Sequence, residues 1–404
     1  MTATLLRRAI PSTKAASTFK FPQRFLSTAT SEEGSLVSFS PGSNGVAELQ
    51  LCRPKKLNSL SMPMIQQLKV FYDQLEKGSD KCVLLSGEGR AFCAGGDVAE
   101  VRDGVLAGNS APAEFFHDEY ALDYQIATLH PRKGIVQVAL WDGIVMGGGV
   151  GLSAHSPVRI CTEKTMFAMP ETLIGLFPDV GMTWKLSRLA AGLPTGLYLG
   201  LTGQRLGAAD CMASGIATHY CPSEKLPQVV EKLKSLGAAK VSEIEVVAKV
   251  VEEIAGDSKP DTAKAVVEPN KEAIDRCFGN ATTAEEIVAR LQKENCKWSE
   301  RTLKDLKMRS PTSVKVSLAA IMRHSGSVTM AQAFVEEYRM SQWCMRTQPE
   351  SDFCEGIRAV LVDKDNSPNW VPPTLEEVSD ERVQGFFAPL GPSHPYGELK
   401  HWVE

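Results

Sequence analysis

Two apolar runs in this chain end in bare glycine. The first, "KCVLLSG" (81–87), leads into "AFCAGGD" (91–97), and the second, "GIVQVALW" (134–141), leads into "DGIVMGGGVGLSAH" (142–155). Glycine reaches dihedral angles closed to residues with a side chain, so either stretch alone reads as a tight turn. Together they say more. Two strand-like runs about fifty residues apart each deliver a corner of exposed main chain, and the second is expected to open a helix from about residue 148.

The surrounding pattern sets the fold class. "SLVSFSPGSNGVAELQLCRP" reads as two short strands around Asn44-Gly45. A helix should follow, capped by Ser61, with Pro63 in its first turn, Ile65, Leu68, Tyr72 and Leu75 on one face, and Gly78 at its end. Strand 81–85, a poorly patterned helical stretch to about 130, strand 135–141, a helix, and the strands "VRICT" and "KTMFAM" come next. Alternating strands and helices predict an α/β fold with parallel pairing. Beyond about residue 222 the chain turns charged and helix-favouring, in "SEKLPQVVEKLKSLG", "SEIEVVAKVVEEIAG" and "TAEEIVARLQKEN", with a loop expected over 256–270. A last helical region runs from "SPTSVKVSLAAIMRH" towards the Pro-rich "NSPNWVPPTLEEV". The expected organisation is thus 1–31, 35–222, 223–308 and 309–404.

Composition narrows the function. With 404 residues, 43% of them hydrophobic, and no apolar run of about 18, the chain reads as soluble, with no membrane partner. Residues 1–31 hold five basic residues, Arg7, Arg8, Lys14, Lys20 and Arg24, and no acid. That suits a mitochondrial transit peptide and a matrix location. Without it the formal charge moves from −4 to about −9, so no nucleic-acid partner is expected. The ten cysteines contain no Cys-x-x-Cys pair, which argues against zinc and against a disulfide framework.

The two corners suggest chemistry. Main-chain N–H groups at the start of a helix are unpaired donors at its positive end, and two of them converging would form an oxyanion hole. "GGGVG" is not a dinucleotide fingerprint, because Leu152 breaks the Gly-x-Gly-x-x-Gly spacing. Downstream, "TMFAMPETLIGLFPDVGMTWKLSRL" places Glu171 and Asp179 each directly after a proline. Asp179 is expected to cap the following helix and to face substrate. Glu171, among Phe167, Met169, Ile174, Leu176 and Phe177, is a carboxylate with little reason to be buried unless it has a task.

"AFCAGGD", "MGGGVGLSAH", "TEKTMFAMPETLIGLFPDVG", "LTGQRLGAADCMASGIATHY" and "DFCEGIRAVLVDKDNSPNWVP" resemble the crotonase superfamily, and within it the 3-hydroxyisobutyryl-CoA hydrolases, from about residue 35 to 390. The resemblance implies a spiral of repeated ββα units with a helical C-terminal region. It also implies hydrolysis of 3-hydroxyisobutyryl-CoA to 3-hydroxyisobutyrate and CoA, a step of valine breakdown, with no cofactor beyond the CoA of the substrate. It places the thioester oxygen between the N–H groups of Ala94 and Gly148, Glu171 as nucleophile or general base, and Asp179 on the acyl hydroxyl. Glu119, in "FFHDEY", matches an acyl-pocket position. Arg53, Lys55 and Lys56 of "RPKKLNSL", with Gly95, Gly96 and Asp97, are implied contacts of CoA.

Enoyl-CoA hydratases of the superfamily carry a second glutamate where this chain has Gly151, which argues against hydration. Another crotonase reaction, such as isomerisation, and a scaffold role like that of a mitochondrial small-ribosomal-subunit protein resembling the same family stand as alternatives. Crotonases commonly form trimers, so a homo-oligomer is possible. Trp141-Asp142 departs from the family's apolar-His pair. His155 reads as structural and Cys93 as a packing residue.

Overall fold

The computed structural model describes residues 35–42 and 44–399, so the expected transit peptide lies outside the described residues. Strands β1 (Val37–Ser40) and β2 (Val46–Leu51) form the expected antiparallel pair. A helix α1 (Met62–Lys77) then crosses over to β3 (Cys82–Gly87). Its buried face is Met64, Ile65, Leu68, Phe71, Tyr72 and Leu75. Ser61 stands at the N-cap position, yet its side chain makes no capping hydrogen bond.

From here the chain repeats a unit. Strands β3, β5 (Val136–Trp141), β7 (Val158–Cys161) and β9 (His219–Tyr220) extend the first sheet in parallel, giving the order β1-β2-β3-β5-β7-β9. Each of β3, β5 and β7 is followed at once by a three-residue strand: β4 (Ala91–Cys93), β6 (Ile144–Met146) and β8 (Met166–Ala168). These form a second parallel sheet in the order β4-β6-β8. Each turn of the spiral therefore adds one strand to each sheet, and corners in successive turns are stacked.

The helices between them are α2 (Val98–Leu106), α3 (Ala111–Ala127), α4 (Leu129–Lys133), α5 (Gly148–Gly151), α6 (Met182–Leu186), α7 (Leu193–Thr202) and α8 (Ala208–Ser214). The helix expected from residue 148 is only one turn long. So short a run sums few peptide dipoles, and any donor strength at its start comes from individual amides.

The larger sheet has two apolar faces, as a parallel sheet requires. Val46, Leu84, Val138 and Ile160 point to one side and pack with Val229, Leu233, Val247 and Val251 of α9 (Leu226–Lys234) and α11 (Ile244–Ala255), which flank α10 (Ala238–Val241). The intervening residues Ala47, Leu49, Val83, Leu85 and Ala139 point into the main core. That core also takes in α12 (Lys271–Phe278), α13 (Ala284–Glu294), α14 (Lys297–Lys307), α15 (Pro311–His324), α16 (Met330–Cys344) and α17 (Phe353–Ile357). From Ser35 onward the chain is one unit. All ten cysteines are free. Among the described residues no helix is long and apolar enough to cross a membrane.

Candidate active site

The two glycine corners meet. A Cβ built on Gly147 would lie 3.2 Å from Gly95 Cα, and one on Gly95 would lie 3.9 Å from Gly148 N. Gly147 has φ 48° and Gly95 φ 105°, backbone that favours glycine. Gly149 completes the contact, since a Cβ there would stand 2.5 Å from the carbonyl oxygen of Cys93 and 2.6 Å from its Cβ. Main chain thus packs on main chain.

Which amides stay open differs from the sequence expectation. Ala94 N–H donates to Leu57 O at 3.0 Å, so it is engaged within the fold. Two residues on, Gly96 bridges Leu60 in parallel. Leu60 N–H donates to Gly95 O (2.8 Å) and Asp97 N–H to Leu60 O (2.7 Å), which turns the N–H of Gly96 to the opposite side. Among the described residues no backbone carbonyl accepts from Gly96 N–H. The second open amide is that of Gly148, in the first position of α5. Ala94 N–H is thus engaged within the fold, and the amides of Gly96 and Gly148 are the candidates left to face a ligand.

Around these amides the spiral collects carboxyl groups. Glu171 follows Pro170 at the start of a 3-10 turn (Glu171–Ile174) and is 5% exposed. Its Oε1 would be 3.3 Å from a Cβ on Gly147, and its Oε2 has no hydrogen-bond partner. Asp179, also buried, accepts a hydrogen bond from Tyr120 Oη at 2.8 Å. It does not cap α6. The cap position is Gly181, and Val180 (φ 55°) and Gly181 (φ 80°) turn the chain between Asp179 and the helix. The amides of Gly181 and Thr183 donate instead to Glu337 of α16.

Two more acids come from α3. Glu119 and Asp123 are one turn apart, on the same face, and α5 offers them two glycines at matching spacing. A Cβ on Gly148 would fall 3.4 Å from Glu119 Cδ and closer still to Oε1, and one on Gly151 would fall 2.7 Å from Asp123 Cγ. Asp123 is fully buried, and neither of its oxygens has a partner.

Burial, reinforced by the neighbouring negative charges, holds Glu119, Asp123 and Glu171 well above the usual carboxylate range. Burial also takes Asp179 to about 7, against the lowering effect of the Tyr120 hydrogen bond, and Glu337 to about 8. No three of these groups converge as a metal site among the described residues. Burial and mutual repulsion thus favour the protonated form of these carboxyls.

The remaining expectations separate. Arg53 is held by Asp97 (3.0 Å) and Ser59 O (3.0 Å), so both members of that pair fasten the 53–59 loop to the first corner and are taken up with each other. Lys55 and Lys56 are exposed on the 3-10 turn Pro54–Lys56 and remain available to phosphate. Gly95 and Gly96 line the corner itself. His155 Nε2 meets Val180 O at 3.1 Å, and its surroundings lower it to about 3, so it is a neutral structural group. Cys93 Sγ donates to Asn58 O, and burial pushes it up to about 12. Trp141 is fully buried with its Nε1–H on Ser153 Oγ (3.0 Å), while Asp142 ties down Thr162, Lys164 and Ser223.

The enoyl-CoA hydratase/isomerase family description matches residues 46–387, from β2 through the C-terminal helices. The chain belongs to this family. Curated relatives include the 3-hydroxyisobutyryl-CoA hydrolase, mitochondrial, of Gallus gallus, 43% identical over 86% of this chain and 87% of that protein. The protein of the same name in Homo sapiens is 42% identical over 87% and 88%. Among solved structures, a carnitinyl-CoA dehydratase from Mycobacterium thermoresistibile superposes with a TM-score of 0.79 at 33% identity, covering 92% of this chain and all of that one. An enoyl-CoA hydratase from Rhodobacter sphaeroides 2.4.1 gives 0.77 at 32%, covering 91% and 100%.

Three side chains of the site escaped the sequence reading: Asp123, Tyr120 and Glu337. Asp123 carried a signal, its spacing of one helical turn from Glu119. It also yields a test. In the unfolded chain carboxyls ionise near pH 4, whereas the folded cluster keeps its protons to higher pH. The cluster's contribution to stability should therefore fall as pH rises above about 4, by about 1.4 kcal/mol per pH unit for each retained proton. Asp123→Asn should flatten that decline in thermal melts taken between pH 5 and 8. Melts that fall in parallel with the parent protein would show that Asp123 ionises freely.

Proposed function

We propose that this chain hydrolyses a short 3-hydroxyacyl-CoA thioester, 3-hydroxyisobutyryl-CoA first among them, releasing CoA and the hydroxy acid. The observation that carries this reading is a buried glutamate, Glu171, with one carboxyl oxygen unpartnered, beside two open main-chain amides, in a chain whose relatives at 43% and 42% identity are named for that reaction. The relatives' names, with the basic, acid-free residues 1–31, support a mitochondrial matrix location.

In this reading the thioester oxygen lies between Gly96 N–H and Gly148 N–H, which gain strength as it becomes an anion. Removing one such donor costs about 10²–10³ in rate. Glu171 either attacks the carbonyl, expelling the CoA thiolate and leaving a mixed anhydride for water to open, or takes a proton from the attacking water. Water is the only co-reactant. Asp179, oriented by Tyr120, accepts the acyl hydroxyl's hydrogen bond, a contact that rejects plain acyl chains more strongly than a methyl-sized pocket could. Glu119 forms the wall beside Gly148, and Lys55 and Lys56 meet the phosphates of CoA.

A second reading has one observation behind it. Asp123 brings a carboxyl from α3 into the side-chain space of Gly151, restoring in a different way the two-carboxylate arrangement that hydration uses. Free-thiol release from 3-hydroxyisobutyryl-CoA, run beside hydration of crotonyl-CoA, separates the two. Thiol release with no loss of the crotonyl double bond is the expected result. Hydration without thiol release would overturn the hydrolase reading.

A further inference from the structure

The turn that presents Asp179 is poorly suited to hold itself. Val180 is β-branched and sits at φ 55°, a region such residues rarely occupy, and Gly181 follows at φ 80°. A Cβ on Gly181 would stand 2.6 Å from both His155 Nε2 and Phe334 Cε2, so the turn is also hemmed in from outside. Strain of this kind persists only where the surroundings over-determine the backbone.

The surroundings here are mostly one side chain. Glu337 Oε2 accepts from Gly181 N–H at 2.5 Å, its Oε1 accepts from Thr183 N–H at 3.0 Å, and Oε1 also takes the Thr183 hydroxyl. Thr183 Oγ1 is in turn 2.8 Å from His324 Nδ1 of α15. Both Glu337 and Thr183 are fully buried, so no water competes for these donors. Of the other contacts on the turn, Met182 N–H donates to Asp179 O at 2.9 Å, His155 meets Val180 O and Tyr120 meets the Asp179 carboxyl. None of these holds the amides of Gly181 and Thr183.

We propose that Glu337, contributed by α16 of the C-terminal region, is a positioning residue for acyl-group selection: by clamping residues 181–183 it sets the direction of the Asp179 carboxyl. It touches no substrate. The inference rests on the reading of Asp179 as the acyl-hydroxyl contact. It adds that hydroxyl selectivity in the spiral core depends on a helix from outside that core.

The test is a ratio. The value of kcat/KM for 3-hydroxyisobutyryl-CoA over that for isobutyryl-CoA is independent of the fraction of enzyme folded, because both substrates sample the same active molecules. Glu337→Gln keeps the shape but offers one acceptor where two are used, and its NH₂ opposes one of the amides. It should lower the ratio about ten- to a hundredfold, the size expected when a recognition group is displaced by about an ångström, with isobutyryl-CoA turnover little changed. Asp179→Asn serves as the reference. If Asp179→Asn collapses the ratio and Glu337→Gln does not, the positioning role is wrong while the Asp179 reading stands. If neither moves it, the Asp179 reading fails and takes the inference with it. Thr183→Val, which removes only the hydroxyl arm of the clamp, covers the case in which Glu337→Gln does not fold. It should lower the ratio several-fold, and an unchanged ratio would overturn the proposal.

Discussion

Glu171→Gln should all but abolish thioester hydrolysis while leaving the fold at least as stable as before. Glutamine has the same shape, and the substitution removes a carboxyl that burial already disfavours in its ionised form. A general base contributes about 10²–10⁴ in rate, and a nucleophile that forms the covalent intermediate contributes at least as much. The loss should appear in kcat with KM little altered, because the amides and the acyl pocket that bind the ground state remain. The residual pH dependence is informative as well. Glu171 must be ionised to act, so parent activity should rise with pH through its elevated pKa, and that limb should vanish in the variant. Retention of more than a tenth of the parent kcat would remove Glu171 from the mechanism. Single-turnover hydrolysis in H₂¹⁸O then bears on its two possible roles. Label carried into the Glu171 carboxyl marks an anhydride opened at the enzyme carbon, whereas label confined to the product fits both the base and an anhydride opened at the acyl carbon, and trapping of an acylated Glu171 with hydroxylamine separates those two.

The second large effect comes from a residue with no chemistry of its own. Gly149→Ala would drive a methyl group into the carbonyl and Cβ of Cys93, which are backbone and stem and cannot swing aside. The corners must then separate. The open amides of Gly96 and Gly148 belong to different turns of the spiral, so separating the turns pulls the donors out of register with one oxygen. A fall in kcat/KM of about 10²–10³ is expected, together with a stability loss of about 1–3 kcal/mol from overpacking. Assays at a temperature well below the variant's Tm keep the two effects apart. Near-parental activity in a folded Gly149→Ala protein would mean that this contact does not align the donors.

The sequence made the corners and the two proline-led carboxylates legible because each is a local event. Glycine ends a strand, and Pro170 and Pro178 fix the backbone just before Glu171 and Asp179. Choosing between Ala94 and Gly96 was beyond it, because the choice depends on Leu60, whose bridge to Gly96 decides which amide faces inward. The helix α3 was foreseen only as a poorly patterned stretch. Its buried residues include Phe115, Phe116, Glu119, Tyr120, Leu122, Asp123 and Ile126, which occupy several faces and so leave no clean amphipathic period. Asp179 looked like a helix cap on local grounds, and a glutamate far along the chain does the capping instead. Tertiary contact of this sort leaves no mark within a window of ten residues.

The gathering of acids around the acyl end has a bearing on how the reaction ends. In the proposed reading a thioester, neutral at its carbonyl, enters among Glu119, Asp123, Glu171 and Asp179 without electrostatic penalty, while the phosphates of its carrier stay near the exposed Lys55 and Lys56. Under the proposed reaction, cleavage turns that neutral end into a carboxylate, a charge disfavoured there by the same desolvation that raises Glu119, Asp123 and Glu171. Water holds the product better than this buried site does, so its departure would call for no moving part.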